Sequence, residues 1–161
     1  MRRQSLRLLL ALVTLVAICL AAATAAVARV KPPPGPQPVP RSRKLAREVV
    51  AFARRQIGVF YNYGGTSRAT GFDCSGLVYA AYQSIGRTIP RSSWDQRRVG
   101  RRVPFGRLLP GDLLFTEGGG HVVLVVSRTR AISAPQSGER IEYVPLARLR
   151  FQFAGARRLL R

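Results

Sequence analysis

Carboxylate, histidine and cysteine side chains are all scarce in this chain of 161 residues, which has 7 Asp and Glu, one His and two Cys. A structural zinc site needs about four Cys, His or carboxylate ligands held together. We therefore expect no metal, and no motif in the sequence indicates a cofactor. The length is that of one modest domain, and 47% hydrophobic residues are enough to bury a core.

Positive charge, by contrast, is abundant: 27 Lys and Arg give the chain a formal net charge of +20. Such a field attracts polyanions. Nucleic acid is not the expected partner, because no nucleic-acid-binding motif is recognisable and the arginines are scattered in doublets. Anionic polymers outside the cell and a merely solvated basic surface are the two remaining interpretations, between which charge alone does not choose.

Residues 1–28 have the pattern of a targeting segment. Three arginines precede an apolar run over 8–20, and an Ala-Val-Ala cleavage site ends at Ala28. The uncharged stretch 8–28 is also long enough to span a bilayer, so an uncleaved membrane anchor is the alternative. Both interpretations predict an exported protein, either secreted or attached to the cell envelope through this segment alone.

Residues 29–41 form a predicted linker, since six prolines lie within 31–40 and favour an extended polyproline conformation. A single folded domain is expected over 42–161. Its first half has helical periodicity, with an amphipathic helix over 42–57 capped by Ser42, a second helix over 74–85 capped by Asp73, and a short helix after Ser92.

The second half of the predicted domain consists of short, β-prone segments separated by turn residues. The expected strands cover 113–116, 121–127, 130–133, 140–144 and 150–153. Helices first and a small antiparallel sheet afterwards indicate an α+β fold.

Cys74 is the candidate nucleophile of this domain. It is the only cysteine beyond residue 28, and it falls in the first turn of a predicted helix, where free backbone N–H groups and the helix dipole favour a thiolate. The sequence therefore predicts a lowered thiol pKa and an oxyanion site at the same amides. A buried, inert cysteine is the alternative.

His121 is the only imidazole available as a base. It begins the predicted strand 121–127, so its ring should face a cleft at the end of the sheet, with Val123 and Val125 continuing its face into the core. A lone histidine taken by itself is more often structural. An unpaired cysteine at a helix start reverses that preference, because thiol and imidazole together form a nucleophile and its base.

Six strings in the sequence resemble the NlpC-type cell-wall peptidases, a papain-like family of bacterial cysteine endopeptidases: FYNYGG, GFDCSGLVYAAY, PRSSWDQ, LLPGDLLF, GHVVLVV and SAPQSG. The resemblance covers about residues 44–150. It implies a papain-like α+β fold, in which the cysteine helix packs against an antiparallel sheet that presents the histidine. It also implies hydrolysis of an amide in peptidoglycan stem peptides, most often between D-glutamate and the diamino acid.

The resemblance also implies roles for individual residues. Cys74 corresponds to the nucleophile, His121 to the base, and Tyr61 to a tyrosine that borders the cleft and polarises the reacting oxygen. Ser133 occupies the place of the polar residue that orients the histidine, which in relatives is usually His, Asn or Gln. Four residues match substrate-cleft positions, although each also has an ordinary structural interpretation as a cap or surface residue: Asp73, Ser75, Arg91 and Ser93.

The sequence thus predicts an exported, monomeric, metal-independent cysteine endopeptidase of the bacterial cell wall. Its expected partners are peptidoglycan stem peptides and, through the basic surface, anionic wall polymers. The departure at Ser133 keeps a second hypothesis open, a catalytically weak or silent module of the same fold that binds wall glycopeptide.

Overall fold

A computed structural model describes residues 40–160. The predicted targeting segment and almost all of the predicted linker lie outside this range. The described residues contain four α-helices: α1 (Arg41–Arg55), α2 (Cys74–Gln83), α3 (Ser93–Gln96) and α4 (Leu146–Leu149).

Helix α1 is the predicted amphipathic helix, and it buries Val49, Val50 and Ala53. Its start differs from the prediction. The amides of Arg43 and Lys44 donate to the carbonyl of Pro40, which makes Pro40 the N-cap and places Ser42 inside the first turn. Proline is tolerated at this boundary, because the first amides of a helix have no intrahelical partner and the missing N–H of Pro40 costs no hydrogen bond.

Helix α2 begins at Cys74, as the sequence predicted. The side chain of Asp73 accepts a hydrogen bond from the amide of Gly76 at 2.6 Å and so caps the first turn. The helix is apolar almost all round and is buried between α1 and the sheet, with Leu77, Val78 and Ala81 in the main core. This burial fixes the position of the helix start, and with it the position of Cys74.

The described residues contain eight strands: β1 (Thr66–Ser67), β2 (Gly71–Phe72), β3 (Arg101–Arg102), β4 (Leu113–Thr116), β5 (His121–Val125), β6 (Arg130–Ser133), β7 (Glu142–Pro145) and β8 (Gly155–Arg158). Six of them form an antiparallel sheet in the order β3-β8-β4-β5-β6-β7, and β1 pairs with β2 in a separate two-stranded hairpin. Strand β5 is central and buried on both faces. Val122 and Leu124 pack toward the helices, whereas Val123 and Val125 pack into a second core with α4.

The predicted α+β class is confirmed, but one predicted strand is wrong. Residues 150–152 form a 3-10 turn, and the strand lies instead at β8, between β3 and β4. Strand β8 reads Gly-Ala-Arg-Arg, and only Ala156 among its side chains is buried. Long arginine side chains can cover apolar surface with their methylene groups while their charged heads stay in solvent. Arginines can therefore take the place of apolar residues in this strand, and the sequence shows no apolar run there.

The hairpin β1–β2 and the short strand β3 were also missed, because each strand has only two residues. Within 40–160, no helix is both long enough and apolar enough to cross a membrane. The predicted anchor over 8–28 lies outside the described residues and stays a prediction.

Candidate active site

Cys74 lies at the first residue of α2 and is half-buried against the main core. Two residues further on, Gly76 allows a very close approach of the preceding loop. A Cβ atom at Gly76 would overlap the carbonyl oxygen of Gly65. Glycine is therefore required here to let the loop 61–71 fold over the start of the helix beside the thiol.

The backbone N–H of Val122 in β5 lies near the sulfur of Cys74 and favours its thiolate form. This amide is available because the ladder between β5 and β6 ends early, at the pairs Val125↔Ala131 and Leu124↔Ile132. Successive amides of a strand point to opposite sides. The amide of Val126 donates to Arg130 beside β6, so the amide of Val122 also points toward β6, beyond the last pair. The thiol thus occupies the split between β5 and β6.

The protonation of Cys74 differs from the sequence prediction. Burial raises the pKa of the Cys74 thiol above its usual value; the amide of Val122 opposes this effect, and the nearby charge of Asp73 adds to it. The prediction of a lowered pKa was wrong, because it counted the helix start and not the loss of solvent around the sulfur. The raised pKa favours the neutral thiol as the resting form.

His121 and Ser133 meet at the same split. The Nε2 atom of His121 lies 2.9 Å from the hydroxyl oxygen of Ser133. Ser133 is buried at the end of β6, and the imidazole is half-buried. Burial lowers the pKa of His121, with a smaller opposing effect from Glu117, so the ring is neutral at pH 7. With Nε2 directed at Ser133, Nδ1 is the ring nitrogen left to exchange a proton.

Tyr61 lies beside the thiol. Burial raises the pKa of its hydroxyl, and the charges of Cys74 and then Asp73 raise it further. Its backbone is held on both sides, because its N–H donates to the carbonyl of Glu139 at 2.9 Å and the residue forms an isolated bridge with Phe72. The structure thus brings Tyr61, Asp73 and Cys74 together.

Asp73, Ser75 and Arg91 form one hydrogen-bonded network under the helix start. Arg91 donates to both carboxylate oxygens of Asp73, at 2.9 and 2.6 Å, and to the hydroxyl of Ser75 at 2.9 Å. Burial alone would raise the pKa of Asp73, but the hydrogen bonds from Arg91 and the amides of Gly76 and Gly64 hold it below its usual value. The network keeps a fixed negative charge one residue from the nucleophile.

Ser93 and Gln96, both in α3, hold the walls of the site in place. The hydroxyl of Ser93 is buried and donates to the carbonyl of Gly120, just before His121. Gln96 is fully buried, and its amide donates to the carbonyls of Ser75 and Pro90 at 3.0 and 2.9 Å. The sequence prediction missed Gln96 and the amide of Val122; the only available signal for Gln96 was its place in the string PRSSWDQ.

Comparison with known proteins identifies relatives of this domain. The model of the NlpC/P60 family matches residues 58–154. The chain is 36% identical over 107 residues to a gamma-D-glutamyl-L-lysine dipeptidyl-peptidase of Bacillus subtilis, which covers 63% of the chain and 36% of that protein. It is 39% identical over 116 residues to the murein DD-endopeptidase MepH of Escherichia coli, which covers 66% of the chain and 43% of that protein.

Solved structures agree with these matches. The peptidoglycan hydrolase RipB of Mycobacterium tuberculosis superposes with a TM-score of 0.69 at 32% identity, over 80% of the chain and 74% of that structure. An NlpC/P60 protein of Bacillus cereus gives a TM-score of 0.67 at 34% identity, over 78% of the chain and 42% of that structure. The chain spans less than half the length of the two curated relatives. On the family match and the shared papain-like fold, the chain belongs to the NlpC/P60 family.

Proposed function

We propose that this protein is a cysteine endopeptidase that hydrolyses amide bonds in peptidoglycan stem peptides. The observation that carries the proposal is the split between β5 and β6, where the sulfur of Cys74 meets the amide of Val122 and where His121 contacts Ser133. Three curated relatives are named as peptidases or endopeptidases, and the names of two of them specify murein or peptidoglycan. In this proposal, α2 contributes the nucleophile, β5 contributes the base, and β6 contributes the group that orients the base.

The proposed reaction begins with a neutral thiol and a neutral imidazole. As the sulfur attacks the substrate carbonyl, its proton moves to Nδ1 of His121, and Nε2–H donates to the hydroxyl of Ser133. The backbone N–H of Cys74 stabilises the oxyanion, with Tyr61 at the side of the cleft. The imidazolium then protonates the leaving amine, and water hydrolyses the thioester to free Cys74.

The pH dependence of kcat/KM is expected to follow the lowered pKa of His121. Only the neutral imidazole accepts the thiol proton, so activity should be lost as the pH falls through a pKa below about 6.5, the ordinary histidine value. Glu117 opposes the lowering, so Glu117→Gln should move the acid limb to still lower pH. A limb centred above the ordinary value, in rates measured on a soluble stem peptide, would contradict this assignment.

Replacing Ser133 by alanine is expected to reduce kcat by about 2- to 10-fold, the usual value of one neutral hydrogen bond. The hydroxyl orients the ring but carries no charge, so the loss of kcat should be far smaller than the loss caused by replacing Cys74. Ser127→Ala, in the exposed turn between β5 and β6, is the matched control and should leave kcat unchanged. A Ser133→Ala variant with wild-type kcat would remove the orienting role.

Product analysis tests the proposed function directly. The full chain is incubated with a synthetic stem peptide and with its cross-linked dimer, and the fragments are identified by mass spectrometry. We expect cleavage between the side-chain carboxyl of D-glutamate and the diamino acid, the type of bond for which the Bacillus subtilis relative is named. Release at a DD bond only, the type named for MepH, would change the substrate assignment. Intact substrates would overturn the function.

A binding module is the second candidate, and the neutral resting site favours it. A buried thiol with a raised pKa and a short serine in the orienting position together describe a weak catalyst. The rate at which Cys74 is alkylated below pH 8.5 does not distinguish the endopeptidase from the binding module, because the buried thiol should react slowly in both. Retention of uncleaved stem peptide on the protein is the result that would select the binding module.

The cellular location remains part of the proposal. We infer that residues 1–28 direct export, because positive charge precedes an apolar run there. We also infer that the proline-rich residues 29–41 are a spacer between this segment and the domain 42–161. The peptidoglycan that the relatives act on lies in the same compartment. Fractionation of cells, with the domain detected in the medium or the envelope, tests this location and distinguishes cleavage from anchoring.

A further inference from the structure

Strands β3 and β8 place four arginines in two directly opposed pairs. Arg101 faces Arg158, and Arg102 faces Arg157. Like charges directly opposite each other across a ladder are destabilising. The two pairs point to opposite sides of the sheet, because side chains alternate along a strand.

Only one of these pairs is neutralised. Arg158 donates from Nε and Nη2 to the two carboxylate oxygens of Asp112, each at 2.7 Å. Among residues 40–160, no carboxylate lies within 4 Å of Arg102 or Arg157. Arg157 is half-buried, and its Nε is occupied by the backbone carbonyl of Arg97.

A third arginine joins the uncompensated pair. Arg97 follows α3 and donates to the carbonyls of Gly118 and Ala154, and it also lies without a carboxylate partner in this part of the chain. Arg102 faces Arg157 across the ladder, and the carbonyl of Arg97 accepts a hydrogen bond from Arg157, so the three residues lie together. Burial, then the charges of Arg102 and Arg97, lower the pKa of Arg157. Such a cluster is costly in the free protein and is compensated when an anion binds.

These three arginines line a cavity of about 760 Å³, which we call the arginine cavity. Its lining also includes Trp94, Phe153 and a fourth arginine, Arg98, which pairs with Asp95. Trp94 is exposed at 55% and packs beside Gly119 and Gly120, the residues that lead into His121. The cavity volume is in the range of ligand sites. The arginine cavity therefore lies next to the loop that carries the proposed catalytic base.

We propose that the arginine cavity binds a phosphodiester group of an anionic wall polymer. Within residues 40–160, the Nη atoms of Arg102 and Arg157 donate to no protein group. Two guanidinium groups from neighbouring strands can hold different oxygens of one tetrahedral phosphate, which suits a phosphate better than a planar carboxylate with two oxygens. The assignment of a wall polymer rests on the proposed function; the anion site itself rests on the three arginines. Binding here would hold the domain on the wall.

Trp94 provides the test, because it is the only tryptophan in the chain and lies in the cavity. The full chain is titrated at constant ionic strength with poly(glycerol phosphate), inorganic phosphate, poly-L-glutamate and duplex DNA, and tryptophan fluorescence is recorded. We expect saturable binding of poly(glycerol phosphate), competition by inorganic phosphate, and weaker binding of poly-L-glutamate and of DNA.

Two variants that each remove one positive charge distinguish binding at the arginine cavity from attraction by the overall positive charge of the domain. Arg102→Gln removes an exposed arginine of the cavity and should weaken poly(glycerol phosphate) binding roughly tenfold or more, the effect of one charge-assisted hydrogen bond. Arg101→Gln, its neighbour on the opposite side of β3, should leave binding within about twofold of wild type.

Equal losses in the two variants, equal or tighter binding of poly-L-glutamate or DNA, or no fluorescence response would each overturn the proposal. Cleavage of a soluble stem peptide is measured in parallel. If the peptide is cleaved but the polymer does not bind, the cavity proposal fails alone. If the polymer binds and the peptide stays intact, the proposed function fails and the anion site stands.

Discussion

Replacing Cys74 by alanine is expected to reduce the rate of stem-peptide hydrolysis by at least about a thousandfold, because no other group can form the thioester. The described site contains a single thiol, at the first residue of α2. The fold should persist, since Asp73 still caps the helix through the amide of Gly76, and Leu77 and Val78 still fill the core against which the sulfur packs. The rate is measured by mass spectrometry of the released fragments.

Ser84→Ala, at the other end of the same helix, is the control for this substitution. It removes a hydroxyl that bonds only to the carbonyl of Ala81, and hydrolysis should continue at the wild-type rate. Hydrolysis by Cys74→Ala at a comparable rate would exclude the covalent mechanism. Loss of hydrolysis with retained binding of the intact peptide would show that the thiol acts in chemistry and not in recognition.

Replacing Asp112 by alanine is expected to lower the free energy of unfolding by about 3–5 kcal/mol, the usual effect of removing one member of a buried ion pair. The Asp112 side chain is 1% exposed and its partner Arg158 is 19% exposed. The carboxylate also accepts the amide of Leu109 at 2.8 Å. Its loss leaves the Arg158 charge facing Arg101 without compensation, and the change is measured by urea denaturation.

Asp95→Ala is the matched control, because Asp95 forms an exposed pair with Arg98 at 3.5 Å, with the two side chains 54% and 81% exposed. Its removal should change the free energy of unfolding by less than about 1 kcal/mol. If both variants lost equal stability, burial of the Asp112 pair would not be what stabilises this end of the sheet.

Local signals in the sequence were sufficient for the helical part of the site. Asp73 before Cys74 has the residue type and position of an N-cap, and the structure contains that cap. The strand that begins at His121 follows three glycines and is rich in β-branched residues, so its start could also be placed to the residue. These features depend on neighbours in the chain, which is why they are readable without coordinates.

The protonation of the site could not be predicted in the same way. The pKa of Cys74 depends on burial by residues distant in sequence and on the amide of Val122. That amide is free of a β6 partner only because the ladder with β6 ends at Leu124.

Strand β8 also escaped prediction, because its position inside the sheet comes from pairing with β3 and β4 and not from an apolar pattern of its own.

The split between β5 and β6 also makes reactivity a property of the tertiary structure. The sulfur of Cys74 belongs to α2 and the amide of Val122 beside it belongs to β5, so the two come together only when the helix packs on the sheet. Under the proposed mechanism, a chain in which α2 has formed without the sheet has a cysteine at a solvated helix end with no base within reach. Such a chain is expected to be inactive, and hydrolysis requires the folded domain.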